Sequence, residues 1–480
     1  MGGSSVVVNT NGAVVGNATV QRYIDPTTNA GNGYRHYASP VAATTVADLT
    51  TSGFTPVVNP AYNTAANPYA VTPFPTVFGY NGGRLSSASA LSSSFDFGWE
   101  SPSALTDGLT PGLGYSVNIP GTQTVDFVGA LNNGTISRAN LGRGPQADAG
   151  WQLLGNPYPA PLNWDAVTST GLDAAVYVFR STGPYAGTYA SYVPNGASTN
   201  GGTAQIAAMQ GFFVRTTSAS TPGSLNFTNA ARLTTYANPT FQRTASTVPL
   251  VRLALSAATG SADEAVVYFS NSATPGFDPT ADAYKLVAGG APVLASELGA
   301  TDLLSINALP ALGTATVAVP LRVQAPQAGS YTLRATELLN LPAGVQAVLR
   351  DNQTGTFFDL SQPAGYVVSL SAGTATGRFT LLLRPSSPLA TASAALGEQV
   401  YLYPNPSHGG GLSLSLPATL SQQAIEVQVL NALGQTVAHQ TSAPSANATR
   451  PLVLPALAQG VYTVRLQTNA GTISKRLTVE

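Results

Sequence analysis

The chain has 480 residues, too many for one ordinary core, and 44% of its side chains are apolar, which is ample for packed interiors. Only 9% are charged and the net charge is −1, so no field is available to attract nucleic acid or an anionic bilayer. The absence of cysteine excludes disulfide staples, a thiolate nucleophile and Cys-based metal sites. No run of roughly 18 apolar residues offers a membrane-spanning helix.

In chain order, the opening has no basic start and no long apolar stretch, so it does not read as a signal peptide. Val6, Val8, Val14 and Val15 are interspersed with Asn-Gly turn signals. This pattern predicts a start inside a longer protein; the alternative is a misplaced start codon with the signal segment just upstream. Residues 1–241 read as an irregular, aromatic-rich β domain. Its densest stretch runs from Trp151 to Asp165, where Pro157, Pro159 and Pro161 forbid a central strand. Strands are predicted to end at Leu153-Leu154 and to cover Ala175–Phe179 and Gly211–Arg215.

Residues 245–384 alternate with period two, as a strand does when one face is buried. Val251, Leu253 and Leu255 share one face, and Val317, Val319, Leu321 and Val323 share another. Tyr331 with Leu333, Val345 to Leu349, Tyr366 to Leu370 and Phe379 to Leu383 repeat the period, which predicts an antiparallel sandwich. Ala295–Leu304 is the one stretch that reads as a helical turn. Residues 385–397 are small and polar, with two prolines at the start, and read as a linker. Residues 398–480 hold about seven short strands, including those around Leu412, Ile425, Tyr462 and Ile473, as in an immunoglobulin-like sandwich. The fold class is therefore all-β, with several antiparallel β-sandwiches in series.

Tyr403-Pro404-Asn405-Pro406-Ser407, Leu433-Gly434-Gln435, Gly460 to Arg465 with Tyr462 inside it, and Lys475-Arg476-Leu477 occur in that order at the end of the chain. Together they resemble the type IX secretion C-terminal sorting domain of exported Bacteroidetes proteins. The resemblance implies export through the periplasm to the surface or medium, with the type IX translocon and sorting machinery as partners. It further implies removal of the tail and attachment to surface lipopolysaccharide. Recognition is assigned by the resemblance to the far end, with Lys475 and Arg476 as the expected contacts; by residue type alone the two read equally well as a solvated strand face. The segments Trp151 to Asp165, Met209 to Val214 and Gly276 to Lys285 resemble adhesin-like surface proteins of the same phylum; since those often carry β-solenoid segments upstream, the resemblance implies that the Val/Asn/Gly-rich opening is the end of a β-solenoid.

Chemistry is sparse. His36 lacks the partners a general base needs. Asp96, Glu100, Asp107, Asp126, Asp165 and Asp173 are the carboxylates available for glycosidase-type pairing, and turn or cap roles are the favoured reading. Asp263, Glu264, Asp278 and Asp282 are candidate calcium ligands, since hard oxygen donors suffice for that ion, but their spacing matches no EF-hand. No other cofactor is expected. Trp99, Tyr185, Tyr189 and Tyr192 are candidate glycan contacts, because an aromatic face stacks on the apolar face of a sugar. Trp151 reads as core. The expected function is a non-enzymatic, adhesin-like or structural exported protein. The alternative is a set of accessory carbohydrate-binding domains of a secreted polysaccharide-degrading enzyme.

Overall fold

The computed structural model describes residues 14–87, 95–146, 148–194, 197–233, 248–258, 260–385, 397–408, 411–445, 447–468 and 471–480. Val6, Val8, the 241–245 boundary and most of the 385–397 linker lie outside these residues. The fold is all-β, in two compact units, Met1–Arg384 and Pro385–Glu480.

In the first unit, Ala18–Tyr23 pairs antiparallel with Thr124–Gly129. A four-stranded sheet orders Tyr34–Tyr37, Tyr115–Asn118, Val77–Tyr80 and Trp99–Glu100. A five-stranded sheet orders Ser198–Thr199, Gly187–Tyr192, Val176–Ser181, Gly211–Arg215 and Trp151–Gly155. The proline-rich stretch after Gly155 turns around Asn156, which is fully buried. Its side chain donates to the carbonyl of Ala160 at 2.8 Å and accepts from the amide of Tyr158 at 3.0 Å.

Among the described residues the largest sheet has eleven strands. Leu250–Ala257 sits near one end between Ala262–Ser270 and Gly329–Leu339, and Val317–Ala325 lies toward the other, between Val293–Leu298 and Gly373–Pro385. Alternate residues from both ends, among them Val251, Leu253, Val319, Val323, Leu333 and Leu381, fill one core. The sheet therefore folds over itself as a sandwich.

The opposite face of Leu250–Ala257 is also covered. Leu250, Val266, Tyr268, Ile306 and Ala308 join Trp151, Leu153, Tyr177 and Phe213 in a second core. Residues on the two sides of the expected 241–245 boundary thus share an interior. Each large apolar side chain buried there contributes about 1.5–3 kcal/mol, which is why the two regions form one compact unit. The helical turn expected at Ala295–Leu304 is instead a hairpin of Val293–Leu298 and Asp302–Pro310. Its turn passes through Gly299 at φ 64°, a conformation glycine adopts without strain.

In the second unit, Tyr401–Tyr403, Leu412–Ser415 and Thr449–Leu452 form a three-stranded sheet. Thr436–Ser442, Ile425–Leu430, Gly460–Thr468 and Gly471–Val479 form a four-stranded one. Alternate residues such as Leu412, Leu414, Val427, Val464 and Leu466 fill the space between them.

Candidate functional site

Two neighbouring sequence devices build one side of a cleft in the first unit. Asn59 and Asn67 each precede a proline and cap a short 3-10 turn, Pro60–Asn63 and Pro68–Ala70, by accepting a backbone N–H two residues on. Proline's fixed φ suits the first position of such a turn, and the capped turns carry Tyr62 and Tyr69. Opposite them, Tyr34 and His36 project from Tyr34–Tyr37, Trp99 from the short edge strand, and Phe179, Tyr185 and Tyr189 from the Val176–Ser181/Gly187–Tyr192 hairpin. Gly187 is required there, because a Cβ would run into the Phe179 ring.

The cleft has a volume of about 490 Å³, and its lining also includes Phe74, Phe78, Phe95 and Asp96. Its rings contact one another, with Tyr34 against Tyr185 at 6.2 Å and His36 stacked on Phe179 at 5.4 Å. Tyr185 is 72% exposed, whereas Tyr189 is buried. Burial pushes the Tyr62 phenol up to about 12 and raises that of Tyr189, with a smaller contribution from the Asp96 charge.

His36 is 4% exposed, and desolvation lowers its pKa to about 3, so the imidazole is neutral at physiological pH. Its Nδ1 has no hydrogen-bond partner among the described residues. A buried, neutral ring of this kind is an aromatic wall rather than a base.

Three of the four aromatic residues singled out in the sequence, Trp99, Tyr185 and Tyr189, line this cleft. Tyr192 does not, and its hydroxyl donates instead to the Asp165 carboxylate at 3.0 Å. Of the carboxylates considered for catalysis, Asp96 lines the cleft; Glu100 accepts from Asn81 at 3.1 Å and Asp107 accepts the amide of Ser103. Asp126 lies within Thr124–Gly129 in register with Gln21, and Asp173 is buried, accepting from the Thr217 hydroxyl at 2.8 Å. Tyr34, Tyr62, Tyr69 and Phe78 were not singled out. The doubled Asn-Pro turns that present Tyr62 and Tyr69 are the signal that marks them.

The four candidate calcium ligands do not converge. Asp263 is held by Lys285 at 2.5 Å, by the amide of Leu294 at 2.7 Å and by Asn200 at 2.8 Å. Glu264 pairs with Arg252 at 3.1 Å. Asp278 caps Thr274, while Asp282, fully buried, accepts the amides of Asp278 at 2.7 Å and Ala308 at 2.6 Å. Among the described residues no three acidic or imidazole side chains are grouped to hold a metal. Asp263, Glu264 and Asp282 accept from ammonium, guanidinium and N–H donors, and Asp278 accepts from the amide and hydroxyl of Thr274.

In the second unit the tail motifs meet in space. Both the Tyr403-Pro404 and Asn405-Pro406 bonds are cis. The Asn405 side chain donates to the carbonyl of Arg476 at 2.8 Å and accepts from the amide of Thr478 at 2.9 Å. Ser407 then pairs in parallel with Val479, so this segment covers the free edge of the last strand. Gly434 turns the chain at φ 78° between Asn431 and Gln435. Gly460 begins a strand without positive φ, and a Cβ there would meet nothing closer than the Tyr462 ring at 3.8 Å; the backbone freedom expected of it is not used. Tyr462 buries its ring and donates to the carbonyl of Ala458 at 2.8 Å. Arg465 and Arg476 stand exposed on the outer face, in register with Ser474 and Thr463. Lys475 lies opposite buried Val464, and its ammonium sits 5.8 Å from the Tyr401 ring, so it points away from its neighbour Arg476.

A secretion system C-terminal sorting domain matches residues 401–480, and a domain of unknown function (DUF8693) matches residues 2–383. No curated protein matches the chain. Among solved structures, PorZ, an essential bacterial surface component of the type-IX secretion system of Porphyromonas gingivalis, aligns at 16% identity over 34% of this chain and 21% of its own, with a TM-score of 0.15. The BSP domain of a biofilm associated protein aligns at 10% identity over 99% of this chain and 83% of its own, with a TM-score of 0.16. At such TM-scores neither carries an argument about fold or function.

Proposed function

The chain belongs to the DUF8693 family and ends in a type IX sorting domain, which makes it a secreted or outer-surface protein; on that premise we propose that it is a non-enzymatic, adhesin-like protein whose first unit binds glycan in the aromatic cleft. The observation that carries this reading is the gathering of Trp99, Tyr185 and Tyr189 with eight further lining residues that bear aromatic rings, around about 490 Å³. Faces of this kind stack on the apolar faces of pyranose rings, while the phenol hydroxyls reach the sugar hydroxyls. Binding rather than hydrolysis is favoured because glycosidases place two carboxylates across the scissile bond, and Asp96 is the one carboxylate among the described lining residues. Attachment to surface lipopolysaccharide after removal of the tail belongs to the same reading.

The test is a glycan array with the whole chain and with Trp99→Ala and Tyr185→Ala. Loss of one stacking ring should weaken binding about three- to tenfold. An array with no glycan bound, or binding indifferent to both substitutions, would end the reading. For delivery, a chain lacking residues 471–480 should accumulate in the periplasm, and its arrival at the surface would refute the role given to the tail.

A further inference from the structure

We infer that the sorting machinery takes hold of the tail by a pair of guanidinium groups, Arg465 and Arg476, on the outer face of the four-stranded sheet, and that what meets them is a protein surface rich in carboxylates. This rests on the delivery reading of residues 401–480 and names its contact residues. Between Glu398 and Glu480 the sequence holds four lysine and arginine side chains, Arg450, Arg465, Lys475 and Arg476, and the fold gives them different work. Arg450 is buried and donates to the carbonyls of Ser421, Gln423 and Ser442. Lys475 falls on the same side of its strand as buried Ile473 and Leu477, faces buried Val464, and carries its ammonium to within 5.8 Å of the Tyr401 ring. Lys475 and Arg476 are neighbours in sequence but serve opposite faces, so one flat contact cannot use both.

Register supplies Arg476 with a different companion. Arg465 faces Ser474 and Arg476 faces Thr463, so the two arginines are diagonal neighbours on one face, with Cα atoms roughly 7–8 Å apart. Both are exposed, and neither makes a hydrogen bond or ion pair among the described residues. Glu426, which faces Gln467 two positions along from Arg465, is hydrogen-bonded to His439 at 2.6 Å, and Glu480 lies 3.8 Å from His408. Two like charges set side by side cost stability unless an anion from outside meets them. The edge of the last strand, in contrast, is closed. Asn405 and Ser407 occupy the carbonyl of Arg476, the amide and carbonyl of Thr478 and the amide of Glu480, so a partner cannot read this end by adding a strand to it. What stays open is the face, where Thr463, Ser474 and Gln428 beside the arginines are neutral hydrogen-bonding side chains. Two planar forks at this spacing suit bidentate pairing with carboxylates.

The experiment follows the whole chain in a type IX-secreting cell and measures the ratio of surface or released protein to periplasmic protein. Arg465→Gln combined with Arg476→Gln should lower that ratio about tenfold. Arg465→Lys combined with Arg476→Lys, which keeps the charges but not the forks, should fall between that variant and wild type. Lys475→Met should be delivered as wild type is. Hydrogen exchange at the Thr478 amide, equal to wild type in each purified variant, checks that the tail is folded. Vesicles of the cell's extracted envelope lipids should not bind the chain. If the double Gln variant is delivered like wild type, or Lys475→Met is trapped with Thr478 still protected, the inference falls, while trapping of the chain that lacks residues 471–480 keeps the delivery reading. Lipid vesicles that bind the wild type but not the double Gln variant would assign the pair to phosphate and overturn the carboxylate partner. If the truncated chain also reaches the surface, both readings fall.

Discussion

Two buried groups of the first unit make opposing and separable contributions to its stability against pH. Asp282 is fully buried, and desolvation, with the neighbouring Asp278 charge, lifts its pKa to about 7 against the pull of two backbone N–H donors. Its folded form holds a proton that the unfolded chain has released, so it adds stability below about pH 4 that is lost as pH rises through 7. His36 runs the other way. Its folded pKa is about 3, so the unfolded chain binds a proton first and stability is lost as pH falls below about 6.5. Going from pH 8 to pH 5, Asp282 should add roughly 2.5 kcal/mol and His36 should remove about 2 kcal/mol. The wild type therefore hides both. In Asp282→Asn the same acidification should cost about 2.5 kcal/mol relative to wild type, and in His36→Phe it should gain about 2 kcal/mol relative to wild type. All three tryptophans, Trp99, Trp151 and Trp164, lie in the first unit, so urea melts followed by tryptophan fluorescence report on it alone. Comparing each variant's pH slope with the wild type cancels the other titrating groups. Slopes identical to wild type in both variants would refute the assignment.

Lys285→Met strands the Asp263 carboxylate in an interior where the two side chains are 5% and 3% exposed, and should cost about 3–5 kcal/mol in the same fluorescence melts. Adding Asp263→Asn, which removes the orphaned charge and keeps an acceptor for Leu294, should recover at least half; no recovery would show that the loss is not electrostatic. Asn405→Ala removes two hydrogen bonds to the last strand, at about 1 kcal/mol each or less because they are exposed. Hydrogen exchange at the Thr478 amide should speed up markedly, and unchanged protection there would refute the clamp.

Where one strand face meets water, the sequence is transparent. Val317–Ala325 alternates in burial because its even positions face solvent, and hydrophobicity follows suit. Leu250–Ala257 shows the limit: its odd positions announce the sandwich core, but Leu250 and Ala254 on the other face are also buried, and Leu250 packs with residues of the five-stranded sheet. Nothing local distinguishes an apolar residue that faces a second sheet from one that fills a turn, so the shared interior was not legible. Ala295–Leu304 failed for a related reason, since one positive-φ glycine turned an alanine- and leucine-containing run back on itself. The tail motifs were legible by residue type and order, yet the clamp between Asn405 and Thr478 joins positions 73 apart, which no local period encodes.

The cleft was half legible for a reason that also bears on its chemistry. Trp99, Tyr185 and Tyr189 stood out as aromatics beside glycines and turns, but the lining spans Tyr34 to Gly289, and only the fold gathers it. The scarcity of charge is more telling. In a chain with 9% charged residues, several ionic groups are placed in specific pairs: Lys285 with Asp263, Arg378 with Asp351, Arg252 with Glu264 and Glu337. At Asp351 burial raises the pKa, but the Arg378 and Tyr366 donors outweigh it and hold the carboxyl below its usual range.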